Sequence, residues 1–297
     1  MLRVTKLFGV GAVMVILLVG SWSWTAWGQV CPEGPPRCPY TSIQKALDAG
    51  LTTVLIAPGA YTELITIRRS VKLQGLDRDK VILTGAIRTE GEGFSVEISG
   101  MTIRKGFAAG WNEGIALRRV SAKVQDVVIT QLEGFHAGIW VEDPTGDVLI
   151  ERVEIKDNTG SDPFLKFRIE NRQSGIGGIV LSQLRPGRTI TLKENKIINN
   201  GFFQCEPRRS RGVCNWGDGV VIGLALGIQQ PLPTIDFQEN VIRDNNGFGV
   251  SFFQPPCYAI QGITQVYISG FGNEVRNNAL GSLCPESFPW PAGFLKG

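Results

Sequence analysis

Apolar and polar residues alternate along this chain in short segments. Five of them share the form glycine, β-branched residue, any residue, apolar residue, and they begin at Gly114, Gly138, Gly178, Gly219 and Gly249. Alternation with a period of two is typical of β-strands, and each segment is too short to be stable alone. The pattern therefore predicts short strands that stack on similar strands.

A second repeat runs between these segments and ends in asparagine. It covers Glu194–Gly201, returns as Glu239–Gly247 and recurs in weaker form over Gly272–Asn278. When the copies are aligned, Asn195, Asn240 and Asn273 form one file, which we predict to be an internal ladder. Asn200, Asn245 and Asn278 form a second file, at a corner. Stacked amides can bond one another and so avoid the cost of burying single polar groups.

Two interleaved repeats predict an all-β fold, a single-stranded right-handed parallel β-helix (solenoid) of roughly seven to nine coils. Thr41–Ala49 is the one predicted helix, because Ile43, Ala46 and Leu47 share a face and Gly50 can end it. We expect this helix to cap the first coil, and the irregular residues 279–297 to cap the last. One domain, residues 29–297, follows from this arrangement.

The first 28 residues predict export. Arg3 and Lys6 precede an apolar run, and Ala26–Gly28 has the small-x-small form of a cleavage site, so residues 1–28 are interpreted as a signal peptide. An uncleaved membrane anchor is the alternative, because Leu7–Val30 carries no charge and is long enough to span a bilayer. Either way we expect a secreted or periplasmic protein, with membrane contact only through the anchor.

Charge and cysteine content narrow the classes of partner. Without Arg3 and Lys6 the 30 basic residues fall to 28 against 27 acidic ones, a balance that does not indicate nucleic acid. We expect a monomer.

Six cysteines in an exported chain predict disulfides. The simplest pairs are Cys31–Cys38 and Cys205–Cys214, which leaves Cys257 and Cys284, although fifteen pairings are open. With one histidine and no Cys-x-x-Cys motif, no metal site and no cofactor are expected.

The opening of the repeat region carries a family resemblance. The order Ser42–Leu47, Val54–Ile56, Pro58–Glu63 and Val71–Gly75 resembles the start of pectin-lyase-like right-handed parallel β-helix proteins. Pectin methylesterases and the periplasmic accessory proteins of nitrous-oxide reductase open similarly. The resemblance covers Tyr40–Gly85, and only a generic β-helix repeat continues to Asn278.

The resemblance implies the fold but not an activity. Pectin methylesterases act through paired aspartates in Gln-Asp-Thr and Asp-Phe-Ile-Phe-Gly motifs, and neither occurs here. Alginate epimerases carry an Asp-Pro-His-Glu element, which Glu142–Thr145 does not match. A copper role like that of the accessory proteins is poorly supported by three methionines and one histidine.

Uneven repeat spacing points to a candidate site. Gly138 to Gly178 and Gly178 to Gly219 span 40 and 41 residues, against 24 from Gly114 to Gly138. The extra residues, mainly 159–174 and 202–216, precede glycine strands, so we expect them to project from one side. Candidate binding residues there are Trp111, Glu113, His136, Trp140, Arg168, Arg172, Arg208, Arg209, Arg211, Trp216 and Asp218.

Aromatic rings suit sugar rings, and arginines suit uronate carboxylates. The favoured function is therefore non-catalytic binding of an extracellular, acidic polysaccharide, or a scaffold role in which loops simply cover the tryptophans. A polysaccharide lyase with an Arg or Lys base is the first alternative, and calcium would be a cofactor only there. The second alternative is a periplasmic accessory protein that docks on a partner through its basic loops.

Overall fold

A computed structural model describes residues 29–104, 113–132, 137–158, 177–203, 215–223, 231–252 and 266–297. These contain helix α1 (Ile43–Asp48) and 22 strands. The strands are β1 Thr53–Ile56, β2 Gly59–Ile67, β3 Val71–Gly75, β4 Val81–Thr89, β5 Ser95–Arg104, β6 Glu113–Arg118, β7 Ser121–Thr130, β8 Ala137–Glu142, β9 Val148–Glu151, β10 Glu154–Lys156, β11 Gly177–Ser182, β12 Thr189–Lys193, β13 Lys196–Ile198, β14 Phe202–Phe203, β15 Asn215–Trp216, β16 Asp218–Ile222, β17 Thr234–Gln238, β18 Val241–Arg243, β19 Phe248–Phe252, β20 Tyr267–Phe271, β21 Glu274–Arg276 and β22 Gly281–Cys284. No helix in these ranges is long and apolar enough to cross a lipid bilayer.

Parallel pairing arranges the strands in three faces. Face A consists of β1, β3, the first halves of β5 and β7, and then β9, β12, β17 and β20. Face B consists of the first halves of β2 and β4, the second halves of β5 and β7, and then β10, β13, β18 and β21. Face C consists of the second halves of β2 and β4, and then β6, β8, β11, β16, β19 and β22.

Each face contains eight strand segments, and coil n takes the nth segment of faces A, B and C in that order. The chain is therefore a right-handed parallel β-helix of eight coils, as the sequence predicts, with the hand that connections between parallel strands almost always take. The lumen is filled by the inward residue of each strand. Ile115, Ile139, Ile179 and Val220 form one such buried stack on face C.

Glycine begins the repeat because the coils approach too closely for a side chain. A Cβ on Gly138, Gly178 or Gly219 would lie only 2.2–2.5 Å from a methyl carbon of a face-B isoleucine. Gly249 would meet Val275 at 2.2 Å in the same way. No larger residue fits this row without moving the backbone.

The internal asparagine ladder is confirmed. Asn195 Nδ2 donates to Asn240 Oδ1 at 3.0 Å, and Asn240 Nδ2 donates to Asn273 Oδ1 at 2.9 Å. The same oxygens accept the backbone N–H groups of Asn195 and Asn240, each at 3.0 Å. The ladder thus satisfies buried amides and also the backbone at the turn from face A to face B.

The corner ladder is one coil longer than predicted. Asn200 bonds Asn245 at 3.0 Å and Asn245 bonds Asn278 at 2.9 Å, but Asn158 also donates to Asn200 at 2.9 Å. Asn158 was missed because the chain after it departs from the repeat. The residues before these four asparagines adopt φ values of 53–58°, a left-handed conformation that Asn and Asp tolerate better than most; they are Asp157, Asn199, Asp244 and Asn277.

The first coil is closed by polar contacts. Glu63 accepts hydrogen bonds from the N–H groups of Ile43 (2.9 Å) and Gln44 (3.0 Å) at the start of α1. The helix is shorter than the predicted 41–49, because Ser42 is an extended N-cap whose hydroxyl accepts from Lys45 N. Next to it, Cys31 and Cys38 form the expected disulfide, with a Cα–Cα distance of 5.8 Å.

Aromatic side chains close the last coil. Trp290 lies 5.0 Å from Phe288, 5.1 Å from Phe294 and 5.8 Å from Phe252, between ring centroids. The predicted irregular segment 279–297 begins too early, because Gly281–Cys284 continues face C as strand β22. Cys284 is disulfide-bonded. Cys205, Cys214, Cys257 and residues 1–28, the predicted signal or anchor, lie outside the described residues.

Candidate functional site

Long connections flank face C. The connections from face A to face B span only two residues in coils 5 to 8, whereas those from β10 to β11 and from β13 to β16 cover residues 157–176 and 199–217. The connections from β16 to β17 and from β19 to β20, residues 223–233 and 253–266, leave the other side of face C. The two predicted insertions therefore do join the same pair of faces, and face C is the surface between the long connections.

Three of the predicted binding residues lie on face C. Glu113 is in coil 3, Trp140 in coil 4 and Asp218 in coil 6, and paired positions link Glu113 through Ala137 and Gly177 to Asp218. Trp216 belongs to the short strand β15, which pairs antiparallel with β14. Trp111, His136, Arg168, Arg172, Arg208, Arg209 and Arg211 lie outside the described residues.

Trp140 is a packing residue. It forms an apolar cluster outside the lumen with Ala137, Val180 and Val221 and is only 9% exposed. Its indole N–H donates to Ser182 Oγ at 2.8 Å, and the Arg118 guanidinium lies 4.3 Å from the ring centroid. The expected sugar-stacking role of Trp140 is therefore wrong, because the ring has no open face. The alternation pattern places a side chain outward but does not show what covers it.

Coils 2 and 3 form a charged cleft on face C. Arg88, Glu90, Glu113 and Arg118 line a cleft of about 120 Å³ together with Ile87, Thr89 and Ala116. Glu113 is 6% exposed, so its carboxylate belongs to the cleft wall. Arg118 Nε lies 3.1 Å from Glu142 Oε2, which fixes the guanidinium beside Trp140.

A second cleft, of about 400 Å³, lies between α1 and coil 1. Its polar lining is Asp48, Thr66, Arg68 and Arg69. The two clefts meet where Arg68 Nη2 lies 2.9 Å from Glu90 Oε2. We call the joined surface the face-C groove; its charged residues are Asp48, Arg68, Arg69, Arg88, Glu90, Glu113 and Arg118.

Of the groove's charged residues, only Glu113 was a sequence candidate. The arginines were missed because they stand outside the glycine motif. Their signal is positional: Arg68, Arg88 and Arg118 lie at or just beyond the ends of face-C strands in coils 1, 2 and 3. Their side chains are 39–62% exposed, so each can still reach a ligand.

Asp218 lies apart from the groove. Its Oδ1 accepts from Phe248 N at 2.7 Å, and its Oδ2 accepts from the Ser251 hydroxyl. Burial raises the pKa of this carboxyl group to about 6, although both hydrogen bonds favour the ionised form. Asp218 as a whole residue is partly exposed, but its carboxyl group is turned towards coil 7.

A carboxyl group with a perturbed pKa can mark a catalytic site, so its distance from Glu113 decides whether the two could cooperate. Three coils separate them, about 14 Å at ~4.8 Å per strand. Glycosidase carboxyl pairs are about 5–9.5 Å apart. Glu113 and Asp218 are too far apart to act as such a pair. Within the described ranges, no three His, Cys, Asp or Glu side chains are placed to hold a metal ion.

Comparison with known proteins finds likeness in structure alone. No protein-family model and no curated protein matches the sequence. The pectin methylesterase from carrot superimposes with a TM-score of 0.47 at 10% identity, over 90% of this chain and 86% of the other. The A-module of the mannuronan C-5 epimerase AlgE6 from Azotobacter vinelandii gives 0.35 at 16%, over 80% and 71%. The alginate lyase from Paenibacillus sp. str. FPU-7 gives 0.31 at 11%, over 86% and 96%. The function must be argued from the residues of this chain.

Proposed function

We propose that this protein binds an acidic polysaccharide along the face-C groove and does not cleave it. The observation that carries the proposal is the occurrence of arginines in three successive coils, Arg68, Arg88 and Arg118, on face C. The long connections flank the same face further along, in coils 5 to 8. Neighbouring coils are ~4.8 Å apart, a spacing on the scale of one sugar unit. A glycan chain lying along the solenoid axis would meet one arginine per coil.

Each arginine keeps donors for a ligand. Arg68 and Arg88 share Glu90, and Arg118 is bound to Glu142. A guanidinium has five N–H donors, so one carboxylate partner does not saturate it. The internal carboxylates hold the forks in place before a ligand arrives, and this lowers the entropy cost of binding.

The charge of the groove favours an acidic ligand only weakly in its described part. Four arginines face three carboxylates across the two clefts, a surplus of one positive charge. The connections that precede β11 and β16, residues 157–176 and 199–217, contain five further arginines, Arg168, Arg172, Arg208, Arg209 and Arg211, and one lysine against four carboxylates, a surplus of two positive charges. Because these connections lead directly into face C, we assign the preference for uronates mainly to them.

Binding is favoured over catalysis by the separation of the carboxyl groups. Glu113 and Asp218 are about 14 Å apart, and the Asp218 carboxyl group is engaged by Ser251 and Phe248 on the far side. A lyase with an arginine base remains the alternative. It would release unsaturated products that absorb in the ultraviolet.

The test is affinity for polygalacturonate and alginate, measured by calorimetry at low and high salt. We expect binding that weakens with salt, because arginine–carboxylate pairs are screened. Arg88→Ala should weaken binding about tenfold, the loss of one charge-assisted hydrogen bond of about 1.5 kcal/mol. Arg276→Ala is the control, because Arg276 (54% exposed, against 39% for Arg88) is also paired to a carboxylate, Glu274, but lies on face B.

Three results would contradict the proposal. The first is the absence of binding of both glycans at low ionic strength. The second is equal weakening of binding by Arg88→Ala and Arg276→Ala, which would place the ligand off face C. Release of ultraviolet-absorbing products that stops in Arg118→Ala would replace the binding function by the lyase alternative.

A further inference from the structure

The exposed large hydrophobic residues gather at one end of the solenoid. In the described part of the chain they are Tyr267 (61% exposed), Phe271 (54%), Leu280 (40%), Leu295 (39%) and Leu76 (41%). All but Leu76 belong to coil 8 or to the tail that follows it. Clustered exposed apolar residues mark interaction surfaces, whereas a single one such as Leu76 needs no explanation.

Tyr267 and Phe271 begin and end β20, the last strand of face A. Among the described residues the backbone of β20 has an open edge, which ends at Gly272, whose N–H donates to Gly293 O of the tail at 3.0 Å. Tyr267 N donates to Pro233 O at 2.9 Å and Phe271 O accepts from Glu239 N at 3.0 Å, so these residues face coil 7. The alternate residues Ile268 and Gly270 direct their backbone groups the other way, and no described residue pairs with them there. An uncharged, uncovered edge is a template for a further strand.

The opposite end of the solenoid has no such edge. The N–H groups of Gln29 and Val30 both donate to Leu55 O of β1, at 2.8 and 3.1 Å, and Ala57 N donates to Val30 O at 2.9 Å. Helix α1 covers the adjoining part of coil 1. Stacking the first coil of one copy onto the last coil of another would therefore displace these contacts. Two C-terminal ends can meet at β20 without displacing them.

We propose that two copies associate through these ends, with their β20 strands paired antiparallel about a two-fold axis at Ser269. In this register Ile268 of one copy and Gly270 of the other exchange their free backbone hydrogen bonds. Tyr267 and Phe271 then fall in non-hydrogen-bonded pairs, where Cα atoms are only about 4.5 Å apart. Each tyrosine faces the phenylalanine of the second copy, and aromatic cross-strand pairs are among the stabilising ones.

A second copy is the occupant because the edge complements itself. The strand Tyr-Ile-Ser-Gly-Phe carries no charge, so antiparallel pairing with its own copy opposes no like charges. A two-fold contact also closes: after pairing, neither copy retains an open β20 edge, and no fibre can grow. This surface gives a dimer in place of the monomer expected from the sequence.

The first experiment measures the mass of the purified protein by light scattering after size exclusion. We expect twice the mass of one chain. Phe271→Lys should yield a monomer with an unchanged far-ultraviolet circular dichroism spectrum, because it places a charge in each aromatic pair. Leu76→Lys, at an apolar residue of another coil that is 41% exposed, should remain a dimer.

The second experiment tests the register by crosslinking. Ser269→Cys places two sulfurs across the two-fold axis, within the Cα separation that a disulfide accepts. Oxidation should then give a linked dimer on non-reducing gels, and Thr234→Cys, one coil back on face A, should not.

A monomeric wild-type protein, or a dimer that survives Phe271→Lys, overturns the proposal. A dimer that Phe271→Lys breaks but Ser269→Cys does not link overturns the register. A monomer whose retention on a glycan needs Phe271 assigns the aromatic pair to a saccharide instead.

Discussion

The first and last coils fill the same position of the lumen with opposite chemistry. At the turn from face A to face B, coils 3 to 5 carry Met101, Val127 and Val153, whereas coils 6 to 8 carry Asn195, Asn240 and Asn273; all six are buried. An aliphatic side chain is satisfied by contact alone. Each asparagine depends on the next, because its oxygen accepts from the coil before and its amide donates to the coil after. The aliphatic coils should tolerate change singly, and the asparagine coils should not.

The two ends are closed in different ways. The aliphatic coils are closed by α1, which buries Ile43, Ala46 and Leu47 and whose first turn is held by the Glu63 carboxylate. The asparagine coils are closed by rings, in which Phe294 lies 5.3 Å from Phe237, and Trp290 joins them to Phe252. Where the lumen uses hydrogen bonds the cap uses apolar surface, so the two halves should respond differently to the same class of substitution.

The largest effect is expected for Asn240→Ala. Its oxygen accepts from Asn195 N and Nδ2, and its amide donates to Leu192 O at 2.8 Å and Asn273 Oδ1 at 2.9 Å. Removal leaves several buried groups unpaired at ~1–3 kcal/mol each, so we expect a loss of about 4 kcal/mol in the free energy of unfolding. Urea denaturation followed by circular dichroism measures it. Val127→Ala, at the aliphatic counterpart, should cost about 2 kcal/mol through the cavity alone. Equal losses would mean that the ladder adds nothing to packing.

The caps give the next largest single loss. Trp290→Ala opens a cavity among Phe252, Phe288 and Phe294 and should cost about 3 kcal/mol. Glu63→Gln keeps the shape at the other end but weakens the hydrogen bonds to Ile43 N and Gln44 N, for a cost of about 1 kcal/mol. Thermal unfolding of both variants gives the comparison. A larger loss for Glu63→Gln would reverse our view of the two ends.

The smallest expected effect depends on pH and belongs to the asparagine half. Burial raises the pKa of Asp218 from its usual 3.8 to about 6, so its protonated form suits the folded state better. This contribution to stability is fully present below pH ~4 and is lost as the pH rises through ~6. Relative to Asp218→Asn, the wild-type protein should lose about 2 kcal/mol between pH 4 and pH 7. Unfolding free energies at the two pH values test this, and a constant difference between the proteins would show that the carboxyl group is hydrated.

The fold was predictable because its causes repeat. The glycine row, the alternating strands and the asparagine files each occur in several coils. The same physical constraint therefore selects the same residue type at each repeat, and the pattern is visible in the sequence. Asn158 shows the limit of this kind of prediction. Glu154–Asn158 shares its isoleucine, aspartate and asparagine with Val241–Asn245, but the sequence after Asn158 does not follow the repeat, so its place in the corner ladder was not recognised. Helix α1 was recognised by its apolar face and by the glycine that ends it, and only its ends were misjudged.

The candidate site was less predictable because its residues occur once. Trp140 looked like a binding residue by its outward position, but its burial depends on neighbours in coils 5 and 6, Val180 and Val221, which are distant in sequence. The groove arginines were overlooked because they lie outside the repeat motif that selected the candidates. Arg68 and Arg88 come from coils with no glycine motif, and only the strand register shows that they share a surface with Glu113.

The unequal lengths of the connections between faces B and C have a consequence for evolution and design. Four residues separate β18 from β19, whereas 20 separate β10 from β11, yet both pairs of strands keep the same alignment with their neighbours. The glycine row and the corner asparagines fix that alignment on either side of the joint. The sequence of the connection between faces B and C can therefore change during evolution without a change in the β-helix core. Foreign peptides grafted between Asn158 and Gly177, which leaves the corner ladder intact, should be displayed without loss of the fold.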